Sequence, residues 1–234
     1  MRKVWIRKKE LGITLVAFTI LVLATFAIAV PSDFQVKPFR FDPNRTDLVA
    51  ARWVDGAGCP TGATSVPFGG PPSSFTDSAC PTGDPKDMNN AGLVLIKTGP
   101  TTNFAAGGAE IKGVTGITLS ELGYDIRTGS HCGAGAPRFN VVTTDGVTHF
   151  VGCNSPTPII VSFSLGWKRL RWSAAQLVAA FPPILPTDTV KSIAIIFDEG
   201  QDASGGPDSA GFAVIDNIDI NGTLVGTGDK GIPF

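Results

Sequence analysis

Four carboxylates fall within eleven residues near the carboxyl end, Asp198, Glu199, Asp202 and Asp208, and Asp216 follows in the next apolar stretch. Flexible acidic loops supply the hard oxygen ligands that Ca2+ collects, roughly six to eight at a time. Alternation along Phe212, Val214, Asp216, Ile218 and Ile220 sets Asp216 in an apolar row, where a carboxylate is costly unless paired or bound to a metal. Two readings stay open. One is a structural calcium site; the other is a solvated acidic turn with Asp216 held by an arginine or by backbone amides. The spacing does not match an EF-hand.

A second group could hold an organic ligand. In Trp167-Lys168-Arg169-Leu170-Arg171-Trp172, strand alternation points Leu170 and Trp172 one way and Trp167, Arg169 and Arg171 the other. An indole among guanidinium groups can stack on a sugar ring and pair with a carboxylate. Equally, Trp167 packs beneath a loop while the arginines face water. Tyr124 and Trp53 carry the same two readings.

Signals for catalysis are absent: there is no G-x-S-x-G, H-E-x-x-H or P-loop. Gly129-Ser130-His131-Cys132 joins reactive types, yet adjacent Ser and His seldom work as a pair, and two histidines leave little room for a triad. Glu110, Glu121 and Glu199 are the candidates for a glycosidase pair, with nothing in the sequence to bring two of them together. The chain is read as no enzyme.

These residues need a scaffold, and 28 Gly, 18 Pro and many Val, Ile, Thr and Phe favour short strands joined by turns. Strands are predicted at 51–54, 91–97, 109–117, 124–127, 158–165, 167–172, 190–198 and 211–221. Asp145-Gly146 between 139–144 and 147–152 predicts a two-residue hairpin. That register puts Phe139, Val141 and Phe150 on one face and Val142, His149 and Val151 on the other. Thr118-x-x-Glu121 and Ser173-x-x-Gln176 have capping-box spacing and predict two brief helices. Residues 56–90, dense in Gly, Pro, Ser and Thr, form a long loop. The fold class is all-β: a two-sheet antiparallel sandwich, jelly-roll-like, with one or two short helices and an apolar export helix in front.

Cys59, Cys80, Cys132 and Cys153 allow three pairings. Equal spacing within the first two and the last two favours Cys59–Cys80 and Cys132–Cys153. Zinc would want Cys or His ligands at short spacing, and only His131 beside Cys132 hints at it.

Ala213-Val214-Ile215-Asp216-Asn217-Ile218-Asp219-Ile220 resembles the closing strand of galactose-binding-like jelly-roll domains, including many carbohydrate-binding modules. The order of Trp172, a short helix and a further strand is similar to theirs as well. The resemblance implies a structural calcium near this strand and a glycan ligand. It transfers no binding-site motif, and the 56–90 insertion lies outside it.

The amino terminus sets the compartment. Arg2, Lys3, Arg7, Lys8 and Lys9 precede a charge-free run from Leu11 to Val30 that contains Ala27-Ile28-Ala29, the pattern of an export signal. The run is long enough to remain as a membrane anchor, so residues 1–29 are read as a signal peptide or an anchor. Residues 30–48 follow as a linker or edge segment and 49–234 as the sandwich. Gly12-Ile13-Thr14-Leu15 with the run after it also resembles the start of type IV pilin-like proteins, although Ala17 stands where those carry a glutamate. Five of the 19 Lys and Arg and one of the 20 Asp and Glu precede residue 30, leaving a net charge of −5 beyond it. That balance offers nothing to a nucleic acid.

The sequence therefore reads as a secreted or surface-tethered, non-catalytic sandwich whose partner is a carbohydrate or another cell-surface ligand, touching the membrane only through its first segment. The alternatives are a structural subunit of a surface appendage or envelope layer, and a secreted glycan hydrolase.

Overall fold

The computed structural model describes residues 33–65, 73–101, 104–133, 135–199 and 210–231, without the side chains of 63–65, 73 and 74. Residues 1–29, expected to be an export signal or anchor with a pilin-like start, lie outside the described residues, as do Asp202 and Asp208. No helix among the described residues is long and apolar enough to cross a membrane.

In chain order the elements are β1 (Gln35–Phe41), β2 (Val49–Val54), β3 (Thr61–Ser65), β4 (Ser73–Thr76), β5 (Gly92–Lys97), β6 (Ala106–Lys112) and β7 (Glu121–Arg127). They continue with β8 (Arg138–Thr143), β9 (Thr148–Gly152), β10 (Ile159–Phe163), β11 (Trp167–Ser173), α1 (Ala174–Val178), β12 (Val190–Phe197), β13 (Gly211–Ile220) and β14 (Thr223–Val225). Two large antiparallel sheets result. One runs β1-β6-β12-β8-β9; the other runs β10-β11-β7-β13-β5-β2, with β14 on the end of β13. The segment read as linker or edge contains β1, and Pro38 is tolerated there because β1 is an edge strand.

Period-2 alternation decides what lies between the sheets. Val36, Ile111, Phe139, Val141, Ile193, Ile195 and Phe197 from the first sheet meet Trp53, Leu93, Leu95, Leu122, Tyr124, Ile126, Leu170 and Trp172 from the second. Tyr124, Phe139 and Trp172 pack as a tilted and edge-on aromatic group at centroid distances of 5.2–6.0 Å.

Three local expectations need correction. The 138–152 hairpin pairs Phe139 with Val151 and Val141 with His149, one residue out of the expected register. Thr143 N–H donates to Val147 O and Gly146 takes φ +87°, so the loop has three residues, Thr144, Asp145 and Gly146. A one-residue slip swaps faces: His149 and Val151 are buried and Phe150 is exposed.

The row through Asp216 is broken by a bulge. Asp216 pairs with Asp125 and Asp219 with Gly123, three residues on β13 against two on β7, and Asn217 takes up the extra residue at φ +44°. Ala213, Ile215, Ile218 and Ile220 thus face the core, while Asp216 and Asp219 face out from the sandwich.

The Thr118–Glu121 box forms no helix. Asn221 Oδ1 accepts from Ser120 N–H and Glu121 N–H, and Glu121 opens β7 instead. Ser173 does precede α1, but its Oγ bonds the Gln176 side chain and caps no backbone N–H.

Candidate functional site

The outer face of β13, β7 and β11 would be wet in a simple sandwich. Here the described parts of the 56–90 loop lie over it, tied by Cys59–Cys80 (Cα–Cα 6.2 Å). The second bridge, Cys132–Cys153, has Cα atoms 5.1 Å apart. Cys59, Ala79, Cys80, Trp167 and Val214 make a small second core beneath the loop. Gly58 permits the approach: a Cβ there would lie 2.4 Å from Ala91 O and 2.8 Å from Asp216 Oδ2.

Covering that face buries its polar residues, and each finds a partner. Arg169 donates to both oxygens of Asp125 at 2.8 and 2.9 Å and reaches into the loop at Thr82 Oγ1, 3.0 Å. Arg171 Nε lies 2.7 Å from Asp219 Oδ2 and its NH1 3.7 Å from Asp125. Gly123 leaves the lane that Arg171 crosses, since a Cβ there would sit 2.4 Å from Arg171 Cδ. Asn217 Nδ2 donates to Asp125, and Asn217 Oδ1 accepts from Asp84 N–H. Asp216 accepts from Cys59 N–H at 2.8 Å and from Asn217 N–H at 2.6 Å. Burial holds the Asp216 carboxyl well above its ordinary value, with the neighbouring Asp125 and Asp87 pushing the same way. Burial likewise raises Asp125, against the pull of its two arginines. Charges taken from water persist only when paired this fully, so the network fastens the loop.

The residues expected to stack on a ligand therefore lie elsewhere than on a surface. Trp167 is 5% exposed, Arg169 and Arg171 are spent on Asp125 and Asp219, and Tyr124 sits in the main core donating to Pro137 O. None offers an open face to a sugar ring. The alternation within β11 is as expected; what covers its outer face is the long loop.

Of the acidic set, the described members Asp198 and Asp216 have separate partners. Asp198, at the end of β12, is held by Arg138 at 2.5 and 2.8 Å, while Asp216 belongs to the network beneath the loop. Glu199 packs against Gly135, and Asp202 and Asp208 lie outside the described residues. Both sulfurs of Cys59 and Cys80 and an oxygen of Asp125 lie within 4.8 Å of one another, but the sulfurs are joined and present no thiolate.

Among the catalytic candidates, His131 Nε2 and Glu199 Oε1 both lie close to Gly133, where a Cβ would meet them at 3.0 and 3.4 Å, and the others have separate partners. Ser130 Oγ accepts from Val214 N–H, His131 lies edge-on to Phe197, and Cys132 is bridged. Glu110 pairs with Lys112, and Glu121 faces Arg171 at 4.0 Å.

What the loop does create is a cleft at its rim, about 290 Å³, lined by Gly56–Gly58, Phe75, Arg127, Gly166 and Trp167. Phe75 is 55% exposed, Asp77 and Asn90 also line the cleft, and Asn90 Oδ1 is buried without a hydrogen-bond partner among the described residues. A second cleft of about 220 Å³ has Ile126, Leu170 and the Cys132–Cys153 bridge on its walls, with Arg127, Lys168 and Asn154. Arg127 lines both. Alternation puts Arg127 outward beside Asp125, but Phe75 has no comparable signal, because its position depends on how the loop folds back. No protein-family model, no curated protein and no solved structure matches this chain.

Proposed function

We propose that this chain is an exported, non-catalytic β-sandwich that binds a carbohydrate in the cleft between the disulfide-tied loop and the ends of β7 and β11. The observation that carries this reading is the lining of that cleft. An exposed aromatic, Phe75, lines it together with a carboxylate, Asp77, an arginine, Arg127, and the buried Trp167. A sugar has apolar C–H faces that stack on an aromatic ring and hydroxyls that need donors and acceptors together. The two disulfides support maturation in an oxidising compartment, where extracellular glycans are met.

The test is a glycan array followed by titration calorimetry on its best ligand. Phe75→Ala is expected to weaken binding by about 0.5–1.5 kcal/mol, roughly the value of one aromatic contact, with unchanged melting. Absence of binding to every glycan, or equal affinity in the variant, contradicts the reading.

A further inference from the structure

We infer that a second copy of this chain docks on the free edge of β10, the two β10 strands pairing antiparallel about a two-fold axis and carrying the second sheet from one molecule into the next. Large exposed hydrophobics are not spread evenly over the described residues. Ten of fifteen fall between Val147 and Leu185. β9 ends the first sheet, β10 ends the second, and residues 153–158 join them, so this stretch forms one lateral edge of the sandwich. Along β10 and the turn after it, Ile159, Ile160, Val161, Phe163 and Leu165 are all exposed, Phe163 by 75% and Leu165 by 99%.

Edge strands present a row of unpaired N–H and C=O groups and are ordinarily guarded by charge, proline or a covering segment. β9 is covered: Phe181 exchanges backbone hydrogen bonds with Phe150 along its outer side, at 2.8 and 3.5 Å. β10 bonds β11 on one side, and among the described residues no strand pairs with its other side. Its one irregularity is a bulge at Val161, and no residue from 159 to 165 is charged or a proline. From Gly146 to Thr187 the sequence contains no carboxylate, and the three cations there, Lys168, Arg169 and Arg171, belong to β11, one strand inward. Those facts select the occupant. Two-fold pairing sets the segment against itself, where like charges would oppose it, and an uncharged strand meets no such repulsion. A membrane interior would take the side chains but leave the N–H and C=O groups of the edge unpaired. The area is sufficient as well. Phe150, Phe163 and Phe181, at about 150–250 Å² for each ring, leave roughly 300–500 Å² open on each molecule. The seven aliphatic side chains of the same stretch add to that, toward the ~800 Å² that each partner gives to a stable interface.

Sedimentation equilibrium on the intact protein over a concentration series tests this, with hydrogen exchange read at both ends of the series. The expected result is a reversible shift from one chain mass to two, with slowed exchange at the β10 amides that face away from β11. Val161→Lys and Phe163→Lys each place a cation at an exposed position of the edge. Each should weaken association by about tenfold or more, through lost apolar burial and the facing charge of the second copy. Their melting should match that of the parent at a dilution where the parent is a single chain; if one fails to fold, the other and the exchange data carry the test. Phe41→Lys, at an equally open position of the edge strand β1 of the first sheet, should leave association unchanged. A single chain mass throughout, or association that the β10 variants weaken no more than Phe41→Lys does, overturns the inference. So do β10 amides that exchange as fast in the associated protein as in the dilute one. Binding of a non-associating parent to phosphatidylcholine vesicles, lost in the β10 variants, assigns the edge to a membrane instead and overturns it too.

Discussion

Asp87 closes the loop that carries the cleft. Its carboxyl accepts from Asn89 N–H at 3.2 Å and from Ala91 N–H at 2.9 Å, just before β5 begins. Burial, with Asp84 and Asp55 nearby, raises its pKa from 3.8 to about 6, against the pull of those two N–H groups. The folded chain thus holds this proton more tightly than the unfolded chain does. The resulting stability is fully present below about pH 4 and is lost as pH rises through about 6. Asp87→Asn keeps an acceptor oxygen without the charge. Melting temperatures from pH 4 to 7 should accordingly fall less in the variant than in the parent; parallel curves would contradict this. How much of such chemistry the sequence shows depends on distance. Asp125 alternating with Tyr124 and Ile126 is legible as an outward carboxylate on a buried strand. Its answering guanidinium, Arg169, is 44 residues away, and only the folded sheet brings the two together.

Strands and their order of appearance are well marked in the sequence, because β-branched runs and Gly or Pro breaks are local signals. Register is less so. Asp145-Gly146 is equally at home in a two-residue or a three-residue loop, and the choice moves every side chain of β9 to the opposite face. The bulge at Asn217 is similar: one residue at positive φ separates Asp216 from the apolar row in which simple alternation places it. The long loop shows the same limit at larger size, since its composition marks it as irregular but not as the cover of a sheet. The disulfide that ties it gives a direct test. Replacing Cys59 and Cys80 together by Ser removes a bridge across 21 residues and is expected to cost about 3 kcal/mol in chemical denaturation. Glycan affinity should drop as well, because Phe75 and Asp77 are carried by the released segment. Unchanged stability and affinity would show that the ion network alone fixes the loop.

Across the whole molecule, an acidic two-sheet sandwich spends its buried charges on holding one insertion in place. The first sheet and the main core supply a frame; the proposed glycan site lies at the junction of loop and second sheet. Amide chemical-shift mapping during titration with the best glycan from the array tests this most directly. The expected result is a contiguous set of perturbed amides at Gly56–Gly58, Phe75, Asp77, Arg127 and Gly166–Lys168. Perturbations confined to the strands β1, β6, β12, β8 and β9, or none at saturating ligand, would contradict it.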